Sequence, residues 1–212
     1  GTAVITASQA GSTNFNAAAD EQQQLTVNKA AQIITFDALA DVTFGDADFD
    51  LNVTASSDLP LSYTSSDESV ATVNGSTVTI VGAGIATITA SQAGSTNFNA
   101  AADVSQQLTV NKAVQTITFE ALAEVIFGDA LFDLTATASS GLGISYTSSD
   151  ESVATVNGTT VTIVGAGTAT ITASQAGNAN FNAAVDVQQE LIVDKAILTA
   201  TVANEQRVYG KS

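Results

Sequence analysis

The sequence predicts an all-β chain of tandem immunoglobulin-like Greek-key β-sandwich modules arranged as an extended rod. Three observations carry this: an 83-residue period, alternation of apolar and polar residues within it, and turn residues between the alternating stretches. The period is read from Ile-Thr-Ala-Ser-Gln-Ala-Gly, which begins at Ile5, Ile88 and Ile171. Aligned over 29–111 and 112–194, the copies agree at 63 of 83 positions without a gap. Solenoid and propeller repeats run to roughly 20–50 residues, so a longer unit is expected to close its own core. Residues 1–28 then form the C-terminal part of one repeat, 29–111 and 112–194 are complete repeats, and 195–212 begin a following one.

Within 29–111, strands are expected at Gln32–Phe36, Phe49–Ala55, Leu61–Ser65, Ala71–Ile80 as a hairpin, Ala86–Ala90 and Val104–Val110, about seven per module. Asn74-Gly75 supplies two residues tolerant of positive φ, the signal for a type I′ hairpin. With those two as the loop, Val73 faces Ser76 and Ala71 faces Val78 on the inner side, while Thr72 pairs with Thr77 outside. Ala86-Thr-Ile-Thr-Ala90 alternates as a half-buried strand does, and Ala169–Ala173 repeats it. Leu108-Thr-Val110 runs through Asn111-Lys112-Ala113 into Gln115-Thr-Ile-Thr-Phe119 with neither Gly nor Pro, so the linkers are expected to be short and stiff. Each module should add roughly 30–40 Å of length at about 3.3 Å per strand residue. No stretch has helical periodicity.

Composition excludes several functions. There is no His, which removes the commonest general base near neutrality and the commonest metal-binding imidazole. There is no Cys, so no disulfide staples the modules, and the redox compartment stays open. Five Lys or Arg against 21 Asp or Glu give a net charge of −16, which repels phosphate backbones and anionic membranes. Nucleic acid is therefore not an expected partner. No apolar run is long enough to span a bilayer, so this segment is not expected to insert in a membrane. Gly1-Thr-Ala-Val-Ile-Thr6 has none of the regions of a signal peptide and reads as the middle of a repeat. The Ser and Thr residues lack a His or a Gly-x-Ser-x-Gly elbow to activate them, and Gly82-Ala-Gly84 lacks the Lys and helix of a phosphate loop. The chain is not expected to be an enzyme or to carry a cofactor.

Four features are weighed as sites. Asp46, Asp48 and Asp50 have a spacing that can bring oxygens around Ca²⁺, yet no Gly or closing Glu completes a loop, and the next copy reads Asp129-Ala-Leu131-Phe-Asp133. Solvated surface charge is the competing reading. Asp67-Glu68 and Asp150-Glu151 are paired carboxylates, which do acid–base work only in a cleft; turn chemistry is the simpler reading. Asn52-Val-Thr54, Asn74-Gly-Ser76 and Asn157-Gly-Thr159 match the glycosylation sequon, two of them as hairpin turns. Lys29, Lys112 and Lys195 recur at the boundaries, as exposed linker lysines, as inter-module ion pairs or as partners in a Lys–Asn isopeptide.

The runs Gln115–Phe119, Phe127-Gly-Asp129, Ala138–Leu142, Ser145–Ser149, Val153–Val156 and Val164–Gly177 resemble the bacterial immunoglobulin-like repeats of giant Bacteroidetes surface proteins, over both full modules. Leu198-Thr-Ala-Thr-Val202 with Arg207-Val-Tyr-Gly210 is similar to the opening of the related MBG repeat type, and departs from the preceding copies. The resemblance implies an extracellular, cell-surface adhesin of a Gram-negative bacterium, anchored at the outer membrane and exported by type IX secretion. The flavobacterial gliding-motility adhesin is one such giant repeat protein. On this reading the repeats are a stalk whose partners are neighbouring repeats of the same chain, and a surface glycan or protein is bound by other regions. The rival expectation is that the modules bind such ligands through their own end loops.

Overall fold

The computed structural model describes residues 1–202 and 209; among them there is no helix, and every regular element is a strand. The chain divides into two compact units, 1–111 and 112–212. The first opens with the hairpin β1 (Thr2–Ala7) and β2 (Glu21–Thr26). There follow β3 (Ile34–Phe36), β4 (Val42–Thr43), β5 (Phe49–Asp50), β6 (Val53–Ala55), β7 (Ser62–Ser65), β8 (Ala71–Asn74), β9 (Thr77–Ile80), β10 (Gly84–Ser91) and β11 (Val104–Asn111).

One layer is the four-stranded sheet β4-β11-β10-β7; the other is built from β5-β9-β8 and β3-β6, linked because β5 and β6 follow each other in the chain. Alternation on the long strands sets the core. In β10, Ala86, Ile88 and Ala90 are buried while the residues between them are not, and β11 adds Leu108 and Val110. They meet Ile34, Phe36, Leu51, Val70, Ala71 and Val78 from the other layer. The second unit repeats this with β12 (Ile117–Thr118), β13 (Val125–Ile126), β14 (Phe132–Asp133), β15 (Thr137–Ala138), β16 (Ser145–Ser148), β17 (Ala154–Asn157), β18 (Thr160–Ile163), β19 (Gly167–Ser174) and β20 (Val187–Asp194). Its sheets are β13-β20-β19-β16, β14-β18-β17 and β12-β15. Around its core Phe119 and Tyr146 stack edge to face at 5.8 Å. The β-sandwich class expected from the sequence is the observed one.

Three local expectations are corrected. The hairpin β8–β9 pairs Asn74 with Thr77, Val73 with Val78 and Ala71 with Ile80, so its loop is Gly75-Ser76 and not Asn74-Gly75. Gly75 has φ of +60°, whereas Asn74 and Ser76 keep negative φ, which is the II′ pattern instead of I′. The pairing shifts by two residues, and because side chains alternate with period 2, Ala71, Val73 and Val78 stay on the inner face. The single strand expected at Phe49–Ala55 is split, since β5 pairs with β9 and β6 with β3. The short strand β4 was not expected at all; it joins the end of β11 in parallel, Val42 opposite Val110 and Thr43 opposite Asn111.

The hairpin at the start of the chain keeps the register of its later copies, Thr2 opposite Thr26 as Ile85 is opposite Thr109. In this segment Ile5 is 57% exposed where Ile88 is 0%, and Leu25 is 51% exposed where Leu108 is 0%. Residues 195–202 carry no strand, and the Arg207–Gly210 part of the expected opening of a following MBG-like repeat lies, apart from Tyr209, outside the described residues.

These duplicated positions give an internal control. Leu108→Ala should destabilise the module 29–111 by about 2–5 kcal/mol, as loss of a buried leucine usually does, whereas Leu25→Ala should leave its urea unfolding midpoint in place. Equal effects of the two variants would show that the hairpin is part of the folded core.

Candidate functional site

The Asp-x-Asp-x-Asp run sits where β4 turns into β5, and its carboxylates serve three different donors. Asp46 Oδ2 accepts the Thr43 N–H at 2.7 Å, capping the outer edge of β4. Asp48 and Asp50, two residues apart and so on one side of the strand, accept the hydroxyls of Thr79 at 2.8 Å and Thr77 at 2.7 Å on β9. In the second module Asp129 caps the Ile126 N–H at 2.8 Å and Asp133 accepts the Thr160 hydroxyl at 2.6 Å, while Leu131, in the place of Asp48, is 64% exposed. Among the described residues there is no group of three or more acidic, His or Cys side chains arranged to hold a metal. The Ca²⁺ candidates Asp46, Asp48 and Asp50 are thus placed as cross-strand and edge-capping acceptors.

Asp67 and Asp150 shape the turn before β8 and β17. Asp67 Oδ1 accepts the Ser69 hydroxyl at 2.6 Å and the Ser69 N–H at 2.9 Å, and Asp150 does the same with Ser152. The hydroxyl first, then the N–H, holds each carboxyl below the ordinary aspartate value, although both are exposed. That is turn chemistry, in which the side chain imitates a backbone acceptor. Asn74 and Asn157 close their hairpins opposite Thr77 and Thr160, and Asn52 donates to Asp37 at 3.0 Å. Lys112 donates through Nζ to the backbone oxygen of Asn178 at 2.8 Å, which is a carbonyl and not an amide side chain available for cross-linking.

The most elaborate polar construction joins the start of each module to the loop between its two longest strands. Gln32, Gln92 and Gln115 are buried polar residues. Gln32 Nε2 donates to Gln92 Oε1 at 2.6 Å and to the Asn99 carbonyl at 2.7 Å, while the Ser57 hydroxyl donates to Gln32 Oε1. Gln92 Nε2 reaches the Pro60 carbonyl at 3.3 Å. The backbone follows: Ala30 N–H donates to Asn97 at 2.8 Å and Asn99 N–H to Ala30 at 2.9 Å. In the second module Gln115 bonds Gln175 and Asn182 at 2.7 Å each, and Ala113 exchanges hydrogen bonds with Asn180 and Asn182 at 2.9 Å. The loop is tight enough to demand glycine: Gly94 has φ of +82°, and a Cβ there would lie 2.6 Å from the Phe98 oxygen. The sequence reading missed this clasp. Its signal was present in the glutamines that recur 83 residues apart within otherwise alternating strands.

At the opposite end the short parallel pairs close each module. Phe44 N–H donates to Asn111 at 2.9 Å beyond β4–β11, and Phe127 N–H to Asp194 at 2.8 Å beyond β13–β20.

No protein-family profile matches the chain, and no curated protein sequence matches it. Solved structures similar to it are chains of β-domains. They include Drosophila N-cadherin EC1-3 at 12% identity and TM-score 0.33, covering 84% of this chain and 74% of that one. Protocadherin Gamma B2 extracellular cadherin domains 1-5 align at 13% identity and TM-score 0.38, over 92% of this chain and 46% of that one. The surface layer protein SbsC, domains 1-6, aligns at 17% identity and TM-score 0.35, over 97% of this chain and 36% of that one.

Two outcomes are expected at these sites. Millimolar Ca²⁺ should raise the melting temperature only slightly, and a rise above about ten degrees would establish a bound cation. A carboxyl lowered in the folded state contributes stability present above the unfolded value and lost as pH falls through the folded one. Ser69→Ala with Ser152→Ala should therefore return Asp67 and Asp150 toward the ordinary value in an NMR titration and flatten the loss of stability below about pH 4.

Proposed function

We propose that the modules are mechanical spacers, repeated in series along the stalk of a large adhesin at a bacterial cell surface. The observation that carries this reading is where each module attaches its two ends. The entering segment at Ala30 or Ala113 is bonded to the loop that precedes the last strand, and the last strand leaves from the far end of that same strand pair. In between, β4 lies parallel to β11 and β13 parallel to β20. Pulling the two ends of a module apart then slides parallel strands past each other and loads several hydrogen bonds together, instead of opening them one at a time.

The rest of the chain supports the same role. Catalysis is left without a His, and the paired carboxylates at Asp67 and Asp150 are spent on turns. Identity at 63 of 83 positions favours length over a distinct binding surface on each copy. A net charge of −16 keeps such a chain from self-association. The family resemblance of the repeats extends the proposal to an extracellular adhesin of Bacteroidetes, exported by type IX secretion and anchored at the outer membrane, with gliding motility or surface attachment as its setting.

Force spectroscopy on the 212-residue chain tests it. Each complete module should unfold in a separate event that releases roughly 250 Å of chain, from 83 residues at about 3.5 Å each less the folded length. Phe127→Pro removes the N–H that bonds Asp194, at a side chain already about half exposed. It should lower the rupture force of 112–194 below that of 29–111 in the same molecule. Both modules yielding at forces no higher than loop extension would rule out a load-bearing spacer.

A further inference from the structure

The open seam of each sandwich holds a slot that the spacer role does not use. Between β3 and β4 the chain leaves one layer and joins the other, so residues 37–41 cross the gap between the two sheets. Under this crossing lies a hollow of about 330 Å³, floored by Leu39, Val42 and Phe49. In the second module the hollow is about 390 Å³ and is floored by Leu122, Val125 and Phe132. The floor residues are the same in both copies, as are the alanines beside them, Ala38 and Ala121, Ala40 and Ala123, Ala47 and Ala130. The same lining thus recurs 83 residues later, as the identity of the two copies dictates.

The slot is apolar inside and anionic at its rim. Asp37 and Asp50 border the first, Glu120, Asp129 and Asp133 the second. Between the two copies Asp37 is exchanged for Glu120, which keeps the charge, and Asn52 for Thr135. Asp37 and Asp50 each take one internal hydrogen bond, from Asn52 and Thr77, which leaves a carboxylate with capacity for further donors. No cation of the module answers them, because residues 30–111 and 113–194 contain no Lys and no Arg.

We propose that this slot is a docking site for Lys or Arg side chains of a basic polypeptide partner. The aliphatic stem of such a side chain lies on the Leu-Val-Phe floor, and its cationic head meets the rim carboxylates. Charge complementarity selects this occupant. A second copy of the chain, with five cations to 21 carboxylates, is repelled, and an anionic ligand meets the same field. A bare metal ion would find an apolar floor and no converging oxygens. Since the slot recurs once per module, a partner with several basic side chains gains from multivalent attachment along the repeats.

The test is an NMR titration of the ¹⁵N-labelled chain with a synthetic peptide of alternating Arg and Gly, alongside spermine and an alternating Glu-Gly peptide. The basic peptide should perturb residues 37–52 and 120–135 and release as salt is raised. Asp50→Asn with Asp133→Asn, which keep an oxygen for Thr77 and Thr160, should weaken binding about fivefold, and Asp37→Asn with Glu120→Gln should do likewise. Glu68→Gln with Glu151→Gln removes the same charge at a remote turn and should change binding less than about twofold. Equal loss in the remote variant, perturbations spread over the surface, spermine binding as tightly as the peptide, or no binding would each overturn the proposal.

Discussion

Each module depends on how its first fifteen residues straddle both layers. A two-layer sandwich of short strands has open edges, and exposed edges invite pairing with other chains. Here the entering segment is tied to the loop before the last strand by the glutamine clasp and then pairs with β6 in one layer. It crosses the seam and ends as β4 beside β11 in the other. This path brings Ile34 and Phe36 onto the face formed by Ile88 and Leu108. The Asp46 carboxylate then occupies the Thr43 N–H at the edge of the shorter strand.

Acidity is tolerated because the described carboxylates stay outside the two apolar cores. Many of them do structural work there. Asp67 and Asp150 shape turns, Asp46 and Asp129 cap edges, and Asp48, Asp50 and Asp133 link β5 to β9 or β14 to β18. A spacing that suggests a calcium loop in one dimension becomes three acceptors for three separate donors, the Thr43 N–H and the hydroxyls of Thr79 and Thr77.

Periodicity in the chain is sufficient to read the β-sandwich class and the inward faces of β8 to β11, because alternation with period 2 reports burial directly. It was insufficient for features in which residues distant in sequence meet. The parallel strand β4 spans only Val42–Thr43, too short for any periodic signal, and its partner lies nearly 70 residues away. Gln32 and Gln92 read as isolated polar residues until the loop brings their amides together. The turn at Gly75-Ser76 was misplaced by one residue because both Asn and Gly tolerate positive φ, and the pairing partners across the strands selected which of them adopts it. The slot under residues 37–41 exists only where two layers fail to meet, a gap between surfaces that no stretch of sequence encodes by itself.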